Sequence, residues 1–78
     1  MKYFICFIEE MVMNPEYPGY LGGRVEVYGR GPYAIDEIRF FTNKEKEFRE
    51  FVEIWDMKTV SQRQLYKITK RVREEFLE

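Results

Sequence analysis

The chain predicts an α+β domain in which a three-stranded antiparallel sheet is followed by two C-terminal helices packed on one of its faces. Three observations carry the prediction. Apolar residues follow the strand period in residues 2–13, 24–28 and 33–41, then switch to the 3.6-residue helical period after residue 42. Pro and Gly separate the strand-like stretches: two Pro and three Gly fall within residues 14–23, and Gly29-Arg30-Gly31-Pro32 divides the next pair. Thr42 with Glu45, and Ser61 with Gln64, give two helix-start signatures.

Each element has its own justification. In residues 2–13, Tyr3, Ile5 and Phe7 point to one side and Phe4, Cys6 and Ile8 to the other, as in a central strand or one covered on both faces. Glu9 and Glu10 mark where it leaves the core or bulges, before Met11, Val12 and Met13. Residues 14–23 read as a loop, because Pro and Gly at that density defeat both regular structures. In residues 24–28, Val25 and Val27 face inward while Arg24, Glu26 and Tyr28 face outward. The Gly29–Pro32 stretch has hairpin-turn length. The third strand slips its alternation at Asp36-Glu37, which places a bulge there before Ile38 and Phe40 resume the inward face. Thr42 then caps a helix whose apolar stripe is Phe48, Phe51, Val52 and Trp55, with Glu45–Arg49 and Lys46–Glu50 as pairs one turn apart. Ile54 and Met57 fall outside the stripe. Ser61 caps the second helix, Gln64 completes its capping box, and Val60 is set to staple onto Leu65. Its stripe is Leu65, Ile68, Val72 and Phe76.

Seventy-eight residues make one small domain with a thin core. Seven Phe, six Tyr and one Trp compensate, and a second copy of the chain, as a homodimer, is a further expected source of burial. Cys6 stands alone, so no internal disulfide and no oxidising compartment are implied. The apolar run from Tyr3 to Ile8 is too short for a secretion signal, and no run approaches the roughly 20 residues of a membrane helix. The expectation is a soluble cytoplasmic protein that engages no membrane.

The absence of His removes the commonest general base, the commonest metal ligand and every Ser-His or Cys-His nucleophile. Cys6 lies in an apolar strand, where burial suppresses the thiolate. The carboxylate pairs Glu9-Glu10 and Asp36-Glu37 point to opposite faces of their strands, and spacing alone gives no reason for Asp36 to join Glu9 or Glu10 around a cation. Gly29-Arg30-Gly31 lacks the third glycine of a phosphate loop. The expectation is therefore no enzyme, no metal and no cofactor.

Two surfaces are candidates for a partner. Tyr17, Tyr20, Leu21, Tyr28 and Tyr33, interleaved with Arg24 and Arg30, combine residue types enriched at protein interfaces, which makes a protein the first expected partner. Nucleic acid is the second. Residues 58–73 carry six basic groups and no acid, whereas residues 1–57 hold seven basic and eleven acidic groups. On a helical wheel with Leu65 at zero, Arg63, Lys67, Lys70 and Arg71 fall between about 140° and 240°, opposite the core, with Tyr66 nearby. Glu74 and Glu78 partly neutralise that face.

The stretch Val60-Ser61-Gln62-Arg63-Gln64-Leu65-Tyr66-Lys67-Ile68 resembles the turn and recognition helix of helix-turn-helix DNA-binding proteins, in its capped start, polar first turn and apolar fourth and seventh positions after the cap. The resemblance implies that Gln62, Arg63, Gln64 and Tyr66 face base edges and that Lys67 and Lys70 meet phosphates. Thr59 replaces the family's turn glycine, and Trp55 stands where it has a small residue. In size and lack of catalytic groups the chain is similar in general character to small inhibitors and adaptors encoded by phages or mobile elements, anti-CRISPR proteins among them. The leading expectation is a non-catalytic binding protein of that kind, and the alternative a nucleic-acid-binding regulator.

Overall fold

The computed structural model describes residues 1–10 and 18–77. The expected strand tail of Met11, Val12 and Met13, the tyrosine-loop residue Tyr17, and Glu78 lie outside the described residues. The fold is α+β, with an antiparallel sheet and two helices on one face. Its elements are β1 (Lys2–Glu10), β2 (Leu21–Tyr28), β3 (Ala34–Thr42), α1 (Glu45–Trp55), β4 (Lys58–Ser61) and α2 (Gln62–Arg71), the last continued by one π-helical turn over Val72–Phe76.

The sheet has four strands, not the expected three, in the order β3-β2-β1-β4. The additional strand lies between the helices. Lys58, Thr59, Val60 and Ser61 pair antiparallel with Ile5, Phe4, Tyr3 and Lys2. This makes β1 a central strand, as its two apolar sides require. Where β4 stops, the Asp56 carboxylate takes over: its Oδ1 accepts a hydrogen bond from the Phe7 amide at 2.9 Å. One otherwise unpaired backbone donor is thereby satisfied.

Register follows the alternation. Ile5 pairs with Val27, Phe7 with Val25, and Val25 with Ile38, so these side chains all point to the helix side. The β2–β3 irregularity falls earlier than Asp36-Glu37: Val27 pairs with Asp36 and Tyr28 with Ala34, leaving Ile35 as the extra residue. Gly31, at φ 97°, lies in the turn between these strands in a conformation that glycine adopts readily. From Asp36 onward alternation is regular, and Ile38 and Phe40 are buried.

Thr42 does not cap α1. The ladder runs on to a Leu21–Thr42 pair, which holds Thr42 in the sheet, fully buried. Its hydroxyl accepts from the Lys44 amide at 3.0 Å, and α1 begins at Glu45 behind Lys44, which provides no side-chain cap. The α2 capping box forms as expected. The Gln64 amide donates to Ser61 Oγ at 3.2 Å, and the Ser61 amide donates to Gln64 Oε1 at 2.9 Å.

Both helical stripes pack on the same side of the sheet. Phe48 is the hub, with ring centroids 4.2 Å from Phe40, 4.9 Å from Phe76 and 5.8 Å from Phe7. Val60, Ile68 and Val72 complete this core, and Val52, Trp55 and Leu65 border it. Arg49 pairs with Glu45 at 3.0 Å and with Glu9 at 2.6 Å, tying the outer side of α1 to β1. Among the described residues no helix is long and apolar enough to cross a membrane.

Candidate functional site

Two helices, each with one apolar stripe, suffice to cover one face of a four-stranded sheet. Alternation sends the remaining side chains to the other face: Phe4, Cys6, Ile8 and Glu10 from β1, Arg24, Glu26 and Tyr28 from β2, and Glu37, Arg39 and Phe41 from β3. Phe4, Cys6, Ile8, Tyr28 and Phe41 are half-buried here, whereas their opposite-facing neighbours Ile5 and Val27 are wholly buried.

Among the described residues no helix lies on this face, hereafter the open face, and aromatic pairs mark its two ends. Phe4 and Tyr28, cross-strand partners, have ring centroids 6.3 Å apart at 52°. At the other end Tyr20 stacks on Phe41 at 5.0 Å and 20°. Between them runs a polar network. Arg24 donates to Glu10, and through Nε to Glu26 Oε1 at 3.0 Å. The second oxygen of Glu26 accepts from the Tyr28 hydroxyl. Arg39 Nε lies 3.1 Å from Glu37, and its Nη1 lies 3.8 Å from Glu10.

These contacts set the protonation of the groups. The Tyr28 hydrogen bond, followed by the Arg24 guanidinium, holds the Glu26 carboxyl below its ordinary range. The same bond holds the Tyr28 phenol above its own. Burial, then the carboxylates of Asp56 and Glu26, push the Cys6 thiol up, away from the thiolate. Glu10 shares Arg24 with Glu26 and Arg39 with Glu37, whereas on the helix side Glu9 meets Arg49 and Asp36 meets Arg73 at 3.3 Å.

The structure divides the residues singled out in the sequence. Tyr20, Arg24 and Tyr28 belong to the open face. Leu21 turns the other way and packs against the core. Arg30 and Tyr33 are exposed in the β2–β3 connection, Tyr33 at 83 %. Sequence reasoning passed over Phe4, Cys6, Ile8, Phe41 and Arg39. The signal was present in β1, whose second apolar side meets no helical stripe among the described residues.

Arg63, Tyr66, Lys67 and Lys70 are exposed on α2, as the wheel placed them. Arg71 is engaged: its Nε donates to Glu75 at 2.9 Å, and its guanidinium lies 5.1 Å from the Phe51 ring centroid and 5.9 Å from that of Phe76. The helix-turn-helix geometry does not form, because β4 occupies the turn and is bound into the sheet. Arg24 and the α2 cations lie on opposite sides of the sheet and make no common patch. A scan of protein-family models and searches of curated proteins and of solved structures return no match to this chain.

Proposed function

We propose that this chain is a non-catalytic binding domain that docks a protein partner on the helix-free face of its sheet, in the manner of a small inhibitor or adaptor. The observation that carries the reading is the make-up of that face: aromatic pairs at both ends, and between them two arginines already matched by three glutamates. Aromatic and Arg side chains are the residues most enriched at protein interfaces. Charges satisfied within the face give no net pull on a polyanion, whose binding rests on unpaired cations meeting phosphates. Phe4, Cys6 and Ile8 add apolar area that a partner would remove from water.

Affinity capture combined with alkylation of Cys6 tests this. A partner held by the native chain should slow iodoacetamide labelling of Cys6 by about tenfold or more, since a covered thiol reacts only on dissociation. The combined change Arg24→Glu and Tyr28→Asp should abolish capture, and Lys70→Glu should leave it intact. Capture that survives the face variant, or a bound complex with unprotected Cys6, would sink the proposal. A mobility shift with duplex or single-stranded DNA that falls steeply with salt would replace it with the nucleic-acid reading of Arg63, Tyr66, Lys67, Lys70 and Arg71.

A further inference from the structure

On the helix side, α2 does not close fully against the sheet. Toward its C-terminus Ile68, with Val72 just beyond the helix, sits in the core, but near its start Leu65 is only half-buried. A hollow of about 310 Å³ remains there, walled by Tyr3, Val27 and Ile35 from the sheet and by Leu65 and Tyr66 from the helix. The β-bulge accounts for one wall. With unbroken alternation Ile35 would join Glu37 on the open face; as the extra residue it lies toward Gly29 and Tyr3 instead. Ile35 is 58 % exposed and Tyr66 66 %, so two of the chain's exposed large hydrophobic residues meet at one hollow. Apolar side chains scattered singly on a surface need no explanation, but a convergent set around a cavity marks a binding site.

The charge beside the hollow has one sign in excess. Arg63 and Lys70 stand one turn before and one turn after Tyr66 on α2, with Lys67 further round the helix, and among the described residues none of the three is in an ion pair. Lys70 also borders an adjoining hollow of about 190 Å³ that shares Tyr66 and Thr69 with the first. Two carboxylates are close: Asp36 in the first hollow, paired with Arg73 at 3.3 Å, and Glu74 in the second. The surroundings are thus a largely apolar socket with a basic flank, and with Gln62 and one neutralised acid, Asp36, in its wall.

We infer that this groove binds an acidic peptide segment of a protein, one large apolar side chain entering the socket while flanking carboxylates meet Arg63 and Lys70. A nucleic acid fits less well. Its phosphates are evenly spaced and would pass Asp36 and Glu74, whereas a peptide carries carboxylates only where cations await them. The site lies across the sheet from the open face and stands independently of it.

A nitrogen–proton NMR titration of the full chain with acetyl-Glu-Glu-Trp-Glu-Glu-amide decides the matter. Saturable shifts should centre on Tyr3, Ile35, Leu65 and Tyr66. Replacing the Trp of the peptide by Ala, or Ile35 by Ser in the protein, should weaken binding about tenfold, the effect of removing one buried large side chain. Lys70→Glu should weaken it about threefold, as loss of an exposed ion pair does. Arg24→Glu should leave it unchanged, which separates this site from the sheet face. Both residues changed at the groove are exposed, and the dispersion of the same spectra shows that the variants stay folded. The inference falls if millimolar peptide moves no resonances at the groove, if the Lys-for-Glu peptide binds equally, or if a fifteen-nucleotide oligothymidylate shifts the same residues at lower concentration.

Discussion

At Gly23 the second strand runs too close to its surroundings to carry a side chain. A Cβ there would overlap the Ile8 carbonyl oxygen and lie 2.6 Å from Phe40 Cζ, and the first of these is backbone that cannot swing aside. Gly23→Ala should therefore cost about 2–3 kcal/mol, the usual range for overpacking, seen as a lower urea midpoint at unchanged slope. On the opposite face Tyr28 and Glu26 make a pair whose value depends on pH. The Glu26 carboxyl is held low, so its contribution is present above the ordinary carboxylate range and is lost as pH falls through the depressed value. The Tyr28 phenol is held high, so its contribution is present below the ordinary phenol range and is lost as pH rises through the raised value. Tyr28→Phe should accordingly lower the melting temperature most between these limits, with the gap to the native chain closing in acid and in strong alkali. A gap that stayed constant with pH would show that the hydrogen bond does not couple the two groups.

The elements are joined by a few local devices. The first helix ends through the Asp56 amide, which donates to Val52 O at 2.8 Å, and the next residue, Met57, is left-handed at φ 57°. That conformation favours glycine, and Met57 is well exposed, so its side chain offers little packing in return. Met57→Gly should stabilise by about 0.5–1 kcal/mol after the greater freedom of glycine in the unfolded chain is set against relief of strain. A melting temperature higher by a few degrees is the expected reading, and a lower one would mean the exposed Met side chain matters more than its backbone. At the other end of the fold, Leu77 donates to Val72 O at 3.1 Å to close the π-helical turn, and Phe76 at its end packs 4.9 Å from Phe48 and 5.5 Å from Phe51.

Phe48 connects the whole molecule. It touches residues of β1, β3, α1 and the final turn, so the sheet and both helices share one aromatic cluster and should unfold together. Phe48→Ala should cost about 3–5 kcal/mol, much of the stability of a domain this size, and should lower all probes in a single transition. Separate transitions for sheet and helices would contradict that picture. At this scale the charge distribution also becomes meaningful: the open face neutralises itself, and the surplus positive charge collects along α2 on the other side of the sheet.

Periodicity and capping carried most of the fold. Two-residue alternation placed Val25, Val27, Ile38 and Phe40 inward, the 3.6-residue stripes placed Phe48, Phe51, Ile68, Val72 and Phe76, and Ser61 with Gln64 marked the start of α2, because each signal is local and repeats. The fourth strand was illegible, since Lys58-Thr59-Val60-Ser61 holds a single apolar residue and exists only by pairing with the first strand. Thr42 was misread because a capping box and a strand end look alike until the ladder is known to reach it. The tyrosine-rich stretch was only partly a site: alternation, fixed by register, sent Arg24 and Tyr28 to the open face and Leu21 to the core. The groove at Ile35 depended on a bulge one residue away from where the pattern put it. What the sequence determined alone was thus the kind and facing of each long element, which nearest neighbours along the chain dictate. Which face the helices took, and which residues from distant strands came to share each face, only the tertiary structure decided, because strand register and helix placement are long-range.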